Sequence, residues 1–218
     1  MRKTIGKLNC LIRPGADEKR VVLMLHGFGA DAADLFPLAD ALDSEEQWTF
    51  VFPDAPLEVP IGPMMSGRGW FPISVRDLES GIDFTKIRPP GLDESTALVS
   101  EVIFELNPET LVIGGFSQGA MVSLNVCLEN RDTIHGAVIL SGALLDEATW
   151  KKQAQALSGF KYFQSHGAQD PVIPISAAQK LNDILKGAAW NGSFHIFSGG
   201  HEIPVPVVMK CREFIRSI

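Results

Sequence analysis

Cysteine is scarce in this chain, and its placement excludes two common uses. Cys10, Cys127 and Cys211 are odd in number and far apart, which fits neither a disulfide framework nor a zinc spacing. No stretch approaches the ~18 consecutive apolar residues of a membrane span. Arg2 and Lys3 are followed by no apolar h-region, so no signal peptide is expected and a reducing cytoplasm is the default location. A basic surplus is also missing. The net charge of −7 and pI near 5.2 argue against nucleic acid as a partner and against stable association with an anionic membrane. Runs of like charge are absent too, since Asp17-Glu18-Lys19-Arg20 is mixed and reads as a solvated turn.

What remains is a chain with a real core. Its 218 residues are 45% hydrophobic and 21% charged, a composition and length that suit one α/β domain, 1–218. Strand-like runs alternate with helical ones almost throughout. Val21-Val22-Leu23-Met24-Leu25, Thr49-Phe50-Val51-Phe52, Leu111-Val112-Ile113 and Gly136-Ala137-Val138-Ile139-Leu140 are short and continuously apolar, as strands covered on both faces are. Residues 4–13, 160–164 and 190–197 add further strands. Helical spacing appears after Asp31 (Leu35, Leu38, Ala39, Leu42) and over residues 93–106, 118–129, 146–157, 175–185 and 205–215. This alternation predicts βαβ units, hence a mostly parallel sheet with helices on both faces. Residues 54–73 break the pattern: prolines and glycines forbid long elements there, yet Leu57, Val59, Ile61, Met64, Met65, Trp70 and Phe71 make the segment apolar. A loop of that length is uncommon unless it is functional. The expectation is that Met64, Met65, Trp70 and Phe71 contribute to a substrate-binding wall, with cover for a sheet edge as the plain alternative.

Chemistry enters at Gly115-Phe116-Ser117-Gln118-Gly119. Twenty glycines make a chance G-x-S-x-G an ordinary event, so the flanks carry the weight: a buried strand before it and a helix after it. A serine on so tight a turn adopts a strained backbone, and its neighbours two residues away must lack side chains for strand and helix to approach. The helix's first N–H groups then point at whatever the hydroxyl attacks.

The partners of Ser117 follow from where reactive groups collect in parallel sheets, at the carboxyl ends of strands. His195 lies within a strand and His135 just before one. His26 and His166 end strands and stay open as bases. His201 stands in Ser198-Gly199-Gly200-His201, a glycine loop after the last strand, and ranks first. Among acids, Asp170 lies in a post-strand loop, Asp146 reads as a helix cap, and Asp132 and Asp183 fall beside or within helices. Ser117, Asp170, His201 is the chain order that accompanies G-x-S-x-G in an α/β-hydrolase sheet. An oxyanion hole would take the N–H of Gln118 and one from His26-Gly27-Phe28-Gly29, with Phe28 first and Gly29 next. His26 itself reads as a loop brace.

Four segments together, Leu25-His26-Gly27-Phe28-Gly29-Ala30-Asp31, Gly115 to Ala120, His166-Gly167-Ala168-Gln169-Asp170-Pro171-Val172-Ile173-Pro174 and Gly199-Gly200-His201-Glu202-Ile203, resemble the phospholipase/carboxylesterase family. These are small α/β-hydrolases that include bacterial carboxylesterases and acyl-protein thioesterases. The resemblance spans about Val21 to the end and implies the same triad and the same donors, Phe28 and Gln118. Members often carry a Trp-Tyr-Asp-type segment where this chain has Trp70-Phe71-Pro72-Ile73, so the resemblance bears on chemistry more than on substrate preference.

The expected function is therefore a serine carboxylesterase acting on a small acyl ester through an acyl-enzyme, with no metal or cofactor. No cap domain is expected, because only one helix fits between the strands at 136–142 and 160–164. The oligomeric state stays open between monomer and homodimer. Thioester or lysophospholipid hydrolysis is the nearest alternative. A dienelactone-hydrolase-like chemistry is disfavoured because that group uses cysteine where Ser117 stands. From another class, a non-catalytic ligand receptor on the same scaffold would show slow turnover and tight product retention.

Overall fold

Eight strands form the central sheet of the computed structural model, which describes residues 1–73, 84–130 and 132–218. They are β1 (Arg2–Ile5), β2 (Leu8–Arg13), β3 (Asp17–Leu25), β4 (Trp48–Pro53), β7 (Thr110–Phe116), β8 (Gly136–Leu140), β9 (Lys161–Gly167) and β10 (Asn191–Phe197). Their order is β1-β2-β4-β3-β7-β8-β9-β10. From β4 to β10 every neighbouring pair is parallel, while β1 and β2 join as antiparallel strands at one edge. Two further strands, β5 (Leu57–Gly62) and β6 (Met65–Gly69), make a separate antiparallel hairpin.

The helices are α1 (Ala32–Leu35), α2 (Leu38–Leu42), α3 (Leu92–Leu106), α4 (Gln118–Glu129), α5 (Glu147–Ala154), α6 (Ile175–Gly187) and α7 (Val205–Arg216). Strand side chains alternate between two buried clusters, as a period of two requires. Val21, Leu23 and Leu25 of β3 face α3, α4, α5 and α6, whereas Val22 and Met24 face α1, α2 and α7. The result is an α/β-hydrolase fold with no distinct cap domain among the described residues. No described helix is long and apolar enough to cross a membrane.

The chain leaves β3 for β4 on one side and returns to place β7 on the other. The two strands at this switch point are those that carry the 26–29 loop and the elbow, so their carboxyl ends are brought together. Their approach depends on an absent side chain: a Cβ on Gly119 would sit 2.1 Å from Leu25 O, and one on Gly115 would sit 2.5 Å from the Gly119 carbonyl carbon.

Several sequence expectations need correction. Residues 4–13 are two antiparallel strands, because Gly6, at φ +56°, turns the chain between them. The helix after Asp31 is broken into α1 and α2 at Phe36-Pro37, where proline lacks the N–H that would continue the first helix. Residues 54–73 are mainly a β-hairpin; Pro60 falls at a register shift, a position a strand tolerates. Asp146 occupies the N-cap position of α5 but makes no cap hydrogen bond; its carboxylate lies 3.6 Å from Arg88.

The packing separates two glycine substitutions. Gly119→Ala should lower unfolding free energy by about 3 kcal/mol or more, because the methyl meets backbone that cannot yield. Gly187→Ala, at the end of α6 with nothing within 4 Å, should stabilise by about 0.4–1 kcal/mol through the unfolded chain. Urea denaturation of both variants checks the pair.

Candidate active site

Ser117 joins β7 to α4 with φ 54° and ψ −118°, a positive φ that non-glycine residues rarely hold. Two contacts hold it there. Its N–H donates to Leu140 O at the end of β8, 2.9 Å away, and the serine stands beside the glycine of the first loop: a Cβ on Gly27 would lie 3.5 Å from Ser117 Cβ. The Ser117 hydroxyl makes no hydrogen bond among the described residues.

Asp170 and His201 are brought together from the loops after β9 and β10. His201 Nδ1 donates to Asp170 Oδ2 at 2.7 Å, which leaves Nε2 with no hydrogen bond among the described residues. The imidazole also packs on Phe116, the residue before the serine, at 4.7 Å between ring centroids. Asp170 Oδ1 accepts the N–H groups of Val172 (2.8 Å) and Ile173 (2.9 Å). Burial alone would raise the Asp170 pKa. The Ile173 N–H, the His201 hydrogen bond, the Val172 N–H and the charge of His201 together outweigh burial, so the carboxyl is held below the ordinary carboxylate range.

The backbone donors are distinguished by what they already bind. Gly29 N–H donates to Arg68 O at 2.8 Å and is occupied, whereas the N–H groups of Phe28 and Gln118 have no partner among the described residues. Arg68 N–H returns a bond to Ala30 O, also at 2.8 Å, so β6 is laced to the 26–30 loop as a short ladder. Here glycine is again a matter of contact: a Cβ on Gly67 would sit 1.9 Å from Gly29 O.

Four residues were expected on an apolar wall, and the structure divides them. Trp70 and Phe71 are 1% and 0% exposed and have no surface to offer a substrate. Trp70 Nε1 donates to His26 O at 2.9 Å, and the side chain of buried Gln118 takes Trp70 N–H (2.8 Å) and gives to Phe71 O (2.7 Å). Met64 and Met65 lie at the hairpin turn, 98% and 65% exposed. Phe28, 36% exposed, and Ile61, 47% exposed, add apolar surface beside the loop.

Sequence reasoning missed the Gln118 side chain and Arg68, because the Gln118 amide grips the main chain of Trp70 and Phe71 and Arg68 acts through its own main chain, which neither motif nor periodicity marks. His26 is a brace: Nδ1 faces Gly27 O at 2.7 Å and so carries the hydrogen, while Nε2 accepts Ala55 N–H at 3.0 Å. His135 Nδ1 accepts Leu111 N–H, also a structural contact. All three cysteines are free and buried.

With this geometry, the match to known proteins is specific. The profile of the Phospholipase/Carboxylesterase family matches residues 8–218. The chain belongs to that family. It is 29% identical to acyl-protein thioesterase 1 of Candida albicans over 222 residues, 94% of each chain. Among solved structures, esterase PE8 superposes with a TM-score of 0.80 at 25% identity, over 97% of this chain and 99% of that one. The carboxylesterase of Bacillus cereus superposes at 0.73 with 22% identity, over 96% and 94%, and shows the shared fold. Family membership supports an esterase- or thioesterase-like hydrolase acting on a small molecule.

Two outcomes follow. Trp70→Ala should cost roughly 3–5 kcal/mol and depress turnover of short and long acyl substrates alike, since the indole supports His26 and the Gln118 clamp. A loss confined to long chains, measured on an ester series, would return Trp70 to the substrate wall. The second concerns acid. Burial, the largest influence, lowers the pKa of both His26 and His166 from 6.5, so the unfolded chain binds more protons as pH falls. Their contribution is fully present above about pH 6.5 and is lost as pH drops through the folded values. The urea midpoint should fall from pH 7 to pH 5, and more shallowly in His26→Gln; an unchanged slope in that variant would contradict the assignment.

Proposed function

We propose that the protein is a serine carboxylesterase that hydrolyses short-to-medium acyl esters through an acyl-enzyme. The observation that carries this reading is the 2.7 Å bond from His201 Nδ1 to Asp170, on a ring packed against the residue that precedes a strained serine. Asp170 holds the imidazole in the tautomer that leaves Nε2 bare, the form needed to accept a proton.

Ser117 Oγ attacks the acyl carbon as its proton passes to His201 Nε2, and the carbonyl π-bond becomes an oxyanion. The N–H groups of Phe28 and Gln118 receive that charge in advance of any reorganisation. The C–O bond to the leaving group breaks and His201 returns the proton to the departing alcohol. Water, deprotonated by the same nitrogen, then attacks the acyl carbon; the bond to Ser117 Oγ breaks, His201 returns the proton to that oxygen, and the acid leaves. Phe28, Ile61 and Met65 offer apolar contact for the acyl chain, and each methylene they cover is worth up to ~0.8 kcal/mol.

A second reading keeps the same residues and exchanges the leaving oxygen for sulfur. It is favoured by the relation to acyl-protein thioesterase 1, which spans 94% of both chains. Matched oxygen and thio esters of equal chain length separate the two by their kcat/KM ratio.

A fluorophosphonate probe should label Ser117, and Ser117→Ala should abolish both labelling and turnover. Asp170→Asn should retain the fold and lose on the order of 10³–10⁴ in kcat, as when a triad imidazole is left in the wrong tautomer. Persistent labelling of Ser117→Ala, or a loss below about ten-fold in Asp170→Asn, would overturn the assignment.

A further inference from the structure

A second imidazole approaches the same carboxylate oxygen from the side opposite solvent. His166, fully buried near the end of β9, places Nε2 2.8 Å from Ile173 O and 3.3 Å from Asp170 Oδ2. A carbonyl oxygen only accepts, so Nε2 carries the hydrogen. That hydrogen is directed at the carbonyl; Asp170 Oδ2 lies beside the same nitrogen at 3.3 Å without a hydrogen bond between them. Nδ1 is then bare, buried and without a partner among the described residues. The Asp170 carboxylate is thereby enclosed. Oδ1 takes the N–H groups of Val172 and Ile173, and Oδ2 faces His201 Nδ1 and His166 Nε2.

The charged and titratable groups acting on His166 are Asp170, on the loop after β9, and His201, on the loop after β10. Desolvation acts first, and His201 adds to it; together they outweigh the Ile173 carbonyl and Asp170 and hold the ring neutral. Neutrality has a chemical consequence. A cation at this position would pair with Asp170 and compete with the imidazolium formed on His201, whereas a neutral N–H gives direction with little charge.

We propose that His166 is a positioning residue for the catalytic acid: its Nε2–H holds the carbonyl of Ile173, whose N–H fixes Asp170 Oδ1, and the same N–H dipole, 3.3 Å from Asp170 Oδ2, tempers the charge on the oxygen that faces His201. The inference rests on the reading of Asp170 and His201 as acid and base. Ile173 completes the arrangement, because its N–H binds Oδ1 while its carbonyl binds His166. One ring thus pins the loop and, through Ile173, the carboxylate it carries. A histidine that only closed that loop would leave the charge on Asp170 untouched.

The two roles differ in a pH profile. A glutamine amide reaches about as far as imidazole Nε2, whereas an asparagine amide ends near Nδ1 and cannot reach Asp170. In His166→Asn and His166→Met the untempered carboxylate should move the acidic limb of kcat/KM upward by about half a pH unit. In both, kcat should fall roughly ten-fold with KM little changed. His166→Gln should restore the limb and most of kcat. An unmoved limb in Asn and Met would overturn the proposal. So would a downward shift, the result expected if the carboxylate merely swings away from His201. If the Asn and Met variants fail to fold, nitrogen-15 NMR of the unaltered protein and of Asp170→Asn decides: a neutral Nε2–H tautomer of His166 whose ring nitrogen shifts move when the carboxylate is neutralised supports the proposal, and an Nδ1–H tautomer, a cation or shifts unmoved in Asp170→Asn refute it. Failure of the underlying triad reading looks different, as the unaltered protein would then resist the fluorophosphonate probe.

Discussion

Everything at the site depends on how closely the elbow helix approaches β3. Gly119 packs its Cα against the carbonyl oxygens of Leu25 and His26, where an added carbon would lie 2.1 and 2.5 Å away. That contact sets the height of α4 over the sheet, and with it the direction of the Gln118 N–H. It also sets the distance from Ser117 to the 26–29 loop, which leaves the adjacent strand at the same level. A helix held even one methyl further out would separate the two backbone donors that must converge on one oxygen. The strain of Ser117 at φ 54° is sustained by this packing and by the Leu140 carbonyl that accepts its N–H, as strained residues require.

The elbow, the carboxyl-end loops and the alternation of strand and helix were legible because each leaves a local mark. Continuous apolar runs announce strands buried on both faces; the motif marks Ser117, and position after a strand marks His201 among five histidines and Asp170 among the aspartates that follow the elbow. The hairpin was not legible. Its alternation is masked by Pro60, Gly62, Gly67 and Gly69, and Gly67 is there for a contact with Gly29 that no local pattern encodes. Trp70 was misread for a related reason: composition shows that a segment is apolar, but only the tertiary fold decides which of its side chains are covered. Gln118 was credited with its N–H, while its amide, which grips Trp70 and Phe71, could not be foreseen from a position defined by the motif next to it.

Those missed contacts make the second loop and the elbow parts of one assembly. The hairpin stem bonds to Gly29 and Ala30 through Arg68, the indole of Trp70 bonds to His26, and the chain beyond it bonds to Gln118. Ser95, from α3, closes the unit by donating to Trp70 O. The 26–30 loop and Gln118, which carry the two N–H groups proposed as oxyanion donors, are thus held by the same few residues, 68 to 71. In the loops after β9 and β10, hydrogen bonds from Val172, Ile173 and His201 orient Asp170. Ser117, the proposed nucleophile, is thus flanked by two separately braced groups of residues.

This division bears on how substrate preference and chemistry can vary. The stem of the hairpin, from Gly67 to Phe71, is bonded to the donor loop, so a change there alters the position of the Phe28 N–H together with whatever the hairpin presents to a substrate. The tip is different. Met64 and Met65 stand largely in solvent, and the turn that carries them is joined to the 26–30 loop by none of the hydrogen bonds that tether the stem. A side chain exchanged at the tip changes apolar area, which acts on ground state and transition state together and is felt in KM. A side chain exchanged in the stem shifts donors whose value is greatest as negative charge develops, and is felt in kcat. The few residues from Met65 to Gly69 therefore span the passage from an exposed apolar tip to a stem bonded to the 26–30 loop.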